Sequence, residues 1–144
     1  MNIHLAINEG AKILKRNFIL SSQLDAEILM AKTINKDRDY ILLNPSINLD
    51  KNDLNNFNKL IEKRSIGSPV AHITNTKYFW KSEFIVTKDT LIPRPDTELI
   101  VENVLKLTKN KNKIHILEIG IGTGCILLSI LKERENFYGT GIDI

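Results

Sequence analysis

Three glycines alternate with Ile121 and Thr123 in the run Gly120-Ile121-Gly122-Thr123-Gly124, and a carboxylate, Asp143, closes the last apolar stretch of the chain. Glycines at that spacing let a backbone approach a ligand more closely than a Cβ would allow. A carboxylate at the end of the following strand can accept hydrogen bonds from both hydroxyls of a ribose, so the pair predicts a site for an adenosine-containing cofactor. Two chemistries fit so far. A dinucleotide-binding loop has a third glycine three residues after the second, and here Cys125 holds that position. S-adenosyl-L-methionine carries no phosphate and needs only room for its methionine portion, so it is the expected cofactor, with Gly120, Ile121, Gly122, Thr123, Gly124 and Asp143 as its contacts. Glu118 either offers charge to the cofactor's ammonium or satisfies neighbouring backbone. Cys125 reads as a small helix residue rather than a nucleophile. As the only cysteine, it can form neither an internal disulfide nor a multi-cysteine zinc site.

The elements that must position this loop follow from the apolar periodicity. Residues 113–119 read as a strand, Ile126 to Leu131 as a buried helix and Tyr138 to Ile144 as a second strand, which together predict a parallel, right-handed βαβ unit. Upstream, Ile92-Pro93-Arg94-Pro95-Asp96 fixes the backbone on both sides of an arginine, and Asp96 or Thr97 can cap a helix carrying Ile100, Val101, Val104 and Leu105. Arg94 either orients a substrate, braces the loop or forms a salt bridge. Val70 to Thr74 and Tyr78 to Val86 are rich in β-branched and aromatic residues, and Asn75-Thr76 between them suggests a hairpin turn. Phe79, Trp80 and Phe84 are its expected packing residues.

The first 67 residues have a different texture. Ile3, Ile7, Ile13, Leu14 and Phe18 recur near helical spacing, as do Leu24, Ile28, Leu29 and Ile34 after Ser21-Ser22, and Ser22 with Asp25 resembles a capping box. A short segment around Tyr40 to Leu43 stops at Asn44-Pro45. Asp50 can cap a further helix presenting Leu54, Phe57, Leu60 and Ile61, and Gly67-Ser68-Pro69 ends it. These residues predict a small helical bundle.

The chain has 144 residues, 42% of them hydrophobic and 26% charged, with a formal net charge of +3. That charge is too small and too scattered to require a nucleic-acid partner. No apolar run approaches the roughly 20 residues that span a bilayer, and the N-terminus does not read as a secretory signal, so a soluble cytoplasmic protein is expected.

Leu24-Asp25-Ala26-Glu27-Ile28-Leu29, Lys63-Arg64-Ser65-Ile66-Gly67-Ser68-Pro69-Val70-Ala71, Phe79-Trp80 and Ile92-Pro93-Arg94-Pro95-Asp96-Thr97-Glu98, followed by the glycine loop, resemble in order and spacing the bacterial release factor glutamine methyltransferases. The proline-arginine-proline segment is the most specific part. The chain departs from the family at Asn75-Thr76-Lys77-Tyr78-Phe79, where relatives commonly have Gly-x-x-Glu-Phe, and at His72, where a tyrosine is usual. The resemblance implies an α/β protein with three parts: a helical substrate-recognition domain over residues 1–67, a β-hairpin linker over 68–90, and the start of a Rossmann-like class I methyltransferase domain over 91–144. It also implies methylation of the glutamine side-chain amide in the Gly-Gly-Gln motif of peptide chain release factors. The family's Asn-Pro-Pro-Tyr, which grips that amide, has no counterpart here, so the chain is expected to stop short of the catalytic strand and to hold no catalytic residue. The alternatives are a ribosomal protein glutamine methyltransferase and a non-catalytic module that binds release factors.

Overall fold

The computed structural model describes residues 1–144, which divide into two compact units, Met1–Thr74 and Asn75–Ile144. The first is wholly helical: α1 (Ile3–Arg16), α2 (Ser22–Ile34), α3 (Arg38–Leu43), α4 (Lys51–Ser65) and α5 (Val70–Thr74). Asn2, Asp37 and Asp50 cap α1, α3 and α4 by accepting the backbone N–H groups of Leu5, Tyr40 and Asp53 at 2.9, 2.7 and 2.7 Å. The core is the shared apolar face of α1, α2 and α4, with Ile3, Leu14, Leu29, Met30, Phe57 and Ile61 essentially inaccessible. At Gly10 a Cβ would lie 2.9 Å from both Ile61 Cδ1 and Phe57 Cζ, so the absent side chain is what lets α1 and α4 approach.

Two local expectations give way to long-range partners. Ser22 and Asp25 form no capping box: Asp25 Oδ2 accepts from the Ser21 hydroxyl at 2.9 Å and pairs with Arg64 Nε of α4 at 2.7 Å. Val70–Thr74 is a helix rather than a strand. The Pro69 carbonyl accepts from His72 and Ile73, and Val70 and Ile73 pack on the core, so burial overrides the β propensity of the segment.

The second unit mixes helix and sheet: β1 (Thr76–Phe79), β2 (Ser82–Ile85), a 3₁₀ turn Pro95–Thr97, α6 (Glu98–Leu107), β3 (His115–Ile119), α7 (Cys125–Glu133) and β4 (Tyr138–Ile142). β1 and β2 form an antiparallel hairpin whose turn is Trp80-Lys81, not Asn75-Thr76. Asn75, left-handed at φ 60°, instead separates α5 from β1. β3 and β4 pair in parallel from His115 opposite Tyr138 to Ile119 opposite Ile142, with α7 between them in sequence. Phe79 and Phe84 meet edge to face at 6.2 Å and share a core with Val101, Ile130 and Phe137. Neither Asp96 nor Thr97 caps α6 through its side chain; the 3₁₀ turn leads directly into it.

Candidate functional site

The loop between β3 and α7 is built around backbone conformations that favour glycine. Gly120 and Gly122 have φ of 76° and 52°, and a Cβ at either would point into open space. The loop is nevertheless tied down from beneath. Gly120 and Ile121 donate their N–H groups to the Ile142 carbonyl at 2.7 and 3.2 Å, and Gly124 donates to Ile121 at 2.8 Å. Against β4 the approach is close: Ile121 Cδ1 occupies the space where a Cβ on Gly141 would sit.

Asp143 joins this loop directly. Its Oδ2 accepts the Gly122 N–H at 2.7 Å and its Oδ1 accepts the Ile144 N–H at 3.0 Å. A carboxylate offers about four lone-pair directions, so an exposed Asp143 so engaged keeps acceptor capacity on both oxygens. The structure thus brings together Gly120, Ile121, Gly122 and Gly124 with Asp143, and Thr123 lies in the same loop.

Glu118 takes the backbone-satisfying role. Gly124, the N-cap residue of α7, has no side chain to cap with, and Glu118 Oε2 on β3 accepts the Leu127 N–H of the helix's first turn at 3.0 Å instead. A carboxylate there also complements the positive end of the helix dipole. Burial pushes the Glu118 carboxyl above its ordinary range, and the Leu127 hydrogen bond pulls it partly back. Burial likewise pushes the Cys125 thiol up, the Thr123 contact opposes this, and the Glu118 charge adds to it. Cys125 therefore stays protonated and packs in the core, as a small helix residue would.

Arg94 stands exposed with extended backbone (φ −101°, ψ 143°) and takes part in no salt bridge. The segment around it is anchored by Glu98, whose Oε1 accepts the Trp80 N–H at 2.7 Å. Trp80 sits at φ 55°, and its indole Nε1 donates to Glu133 Oε1 at 2.9 Å, where Lys81 Nζ also pairs at 2.6 Å. Carboxylates from the start of α6 and the end of α7 thus clasp the hairpin turn. Glu98 lies in the motif quoted above, but nothing in the sequence marked its partner; Glu133 carried no signal at all.

Residues 6–74 match the family model described as PrmC N-terminal domain. The chain is 41% identical over 123 residues to the release factor glutamine methyltransferase of Shewanella oneidensis, an alignment covering 85% of this chain and 43% of that protein. It is 39% identical over 123 residues to the release factor glutamine methyltransferase of Buchnera aphidicola subsp. Baizongia pistaciae, covering 85% and 44%. It is also 36% identical over 169 aligned positions to the bifunctional methyltransferase of Rickettsia bellii, covering 99% and 30%. The chain spans less than half the length of each of these relatives.

Proposed function

We propose, for a chain that belongs over the part it spans to the release factor glutamine methyltransferase family, that the protein methylates the glutamine side-chain amide of the Gly-Gly-Gln motif in peptide chain release factors. In this reading residues 91–144 open a Rossmann-like class I methyltransferase domain, and the β3–α7 loop holds S-adenosyl-L-methionine. The observation that carries it is the 2.7 Å bond from the Gly122 N–H to Asp143, which sets a carboxylate beside an open glycine turn. Asp143 receives the ribose hydroxyls on its remaining lone pairs. Gly120 and Gly122 leave room for the methionine portion, with Ile121 and Thr123 flanking it. The cofactor supplies an electrophilic methyl group on a sulfonium centre.

An amide nitrogen is a poor nucleophile because its lone pair is delocalised into the carbonyl. Holding it in line with the methyl group accounts for about 7 to 11 kcal/mol in well-oriented systems. No residue of this chain is assigned to that task. The helical residues 1–67 engage the protein substrate, residues 68–90, which carry α5 and then the β1–β2 hairpin, connect them to residues 91–144, and the reaction belongs to translation termination in the cytoplasm.

The test is mass spectrometry of release factors from cells with and without the gene. Loss of one methyl group from the Gly-Gly-Gln glutamine upon deletion is expected. An unchanged release factor together with an undermethylated ribosomal protein would transfer the assignment to that substrate. Calorimetry with S-adenosyl-L-methionine tests the site separately: Asp143→Ala should weaken binding by about 10-fold or more, the loss of a charge-assisted hydrogen bond.

A further inference from the structure

Three helices of the first unit end in the same hydrogen-bonded motif. At α1 the Ile19 N–H reaches the Leu14 carbonyl at 3.1 Å and Phe18 reaches Lys15 at 3.1 Å. At α2 Lys36 reaches Ala31 at 3.0 Å and Asn35 reaches Lys32 at 3.4 Å. At α4 Ser68 reaches Lys63 at 3.2 Å and Gly67 reaches Arg64 at 3.0 Å. In each, one residue just past the helix must adopt a left-handed conformation, and glycine or asparagine is the usual occupant. Gly67 and Asn35 conform, at φ 99° and 52°; at α1 the position is Phe18, at φ 61°.

A bulky side chain at positive φ is strained, and such strain persists where something else is gained from it. Folding does not supply that gain, because Phe18 is 93% exposed. Leu20 is as accessible as in an extended chain, while Ile19 between them packs into the core beside buried Leu14. The middle residue anchors the loop and the outer two project from it. Exposed cations precede this knuckle in the chain: Lys12, Lys15 and Arg16 on the last turns of α1. Asp25, the acid in the first turn of α2, is already engaged by Ser21 and Arg64. A groove of about 340 Å³ between α1 and α2 runs past the same lysines, with Ser22 and Gln23 on its other wall.

We infer that Phe18 and Leu20 are the anchors by which the first unit docks its protein substrate, inserting into an apolar pocket that the partner rims with carboxylates. Aromatic anchors that project with little conformational freedom dominate binding energy at protein interfaces, and the uncompensated lysines select an acidic rim. This rests on the release factor being the substrate.

The experiment is calorimetric titration of the full chain with purified release factor, alongside thermal melts. Phe18→Gly should weaken binding by about 10-fold or more while leaving Tm unchanged or raised by a few degrees, because it relieves the strained position. Leu20→Ser should weaken binding in the same direction. Lys15→Glu should weaken it through the rim, and Asn35→Gly, the equivalent change at the end of α2, should leave it unaltered. Wild-type affinity in Phe18→Gly and Leu20→Ser would overturn the docking surface and leave the methyltransferase reading intact. A lower Tm in Phe18→Gly would make the ring structural and overturn it as well. A wild-type chain that does not bind release factor would remove the substrate reading and this inference together.

Discussion

In the first unit the apolar faces of α1, α2 and α4 enclose one another, and Ile3, Leu14, Leu29 and Met30 have no exposure at all. In the second, Ile116 packs toward the core that α6 and α7 share, whereas Leu117, Ile119 and Ile142 of the same two strands are exposed by 58%, 79% and 49%. Parallel sheets ordinarily bury both faces. Within these residues the candidate cofactor loop is held by backbone bonds and Asp143. Buried or partly buried acids are also used differently. Asp25 and Glu27 of α2 each pair with an arginine, binding α2 to α4 and α3. Glu118, Glu98 and Glu133 accept N–H groups from a helix start, a strained turn and an indole.

Removing the arginine from the first arrangement should have the largest effect. Arg64→Ala leaves the Asp25 carboxylate, 7% exposed, with the Ser21 hydroxyl but no cation, and breaking a buried pair in this way costs about 3 kcal/mol or more. Amide exchange should show α1, α2 and α4 losing protection while β3 and β4 keep theirs. Equal loss in both units would show that they do not unfold separately. A smaller effect is expected of Gly10→Ala, whose Cβ meets the fully buried Phe57 and Ile61. Overpacking of this kind costs about 1 to 2 kcal/mol, read as a lower urea midpoint, and an unchanged midpoint would mean that the α1–α4 contact is looser than its distances imply.

The same contrast governs how much was readable beforehand. The helices α1, α2 and α4, the Asp50 cap and the strand-loop-helix-strand order are local signals and appear where the residues predict them, although Phe18, Ile13 and Leu24, expected on apolar faces, are exposed. What escaped depends on distant partners. Asp25 abandons a capping box for Arg64 of another helix, and Val70–Thr74 becomes helical because its apolar residues are drawn onto the first core. The hairpin turns at Trp80-Lys81, an unusual pair for a tight turn, because Glu98 and Glu133 hold it there. In the candidate site the glycines and Asp143 were legible from spacing. The capping role of Glu118 was open, since only the structure shows that its carboxylate meets the Leu127 N–H.

The smallest effects, and the most selective, are in pH dependence within the second unit. The Lys81 ammonium, and then the Trp80 indole, hold the Glu133 carboxyl below its ordinary range. Its contribution to stability is therefore present above the unfolded-state value and is lost as pH falls through the depressed folded-state value. Trp80 is the only tryptophan, so its emission should report that loss with a midpoint below the usual glutamate range. Glu118 has the opposite sign. Burial raises its folded-state value, so the folded chain takes up a proton first, and stability falls as pH rises from the unfolded-state value through the folded one. In Glu133→Gln, mild acidification through that window should raise Tm. Adding Glu118→Gln should flatten the response, since a glutamine can still accept the Leu127 N–H. If Tm instead falls on mild acidification in Glu133→Gln, burial does not govern Glu118, and the carboxylate is held charged by the helix start it caps.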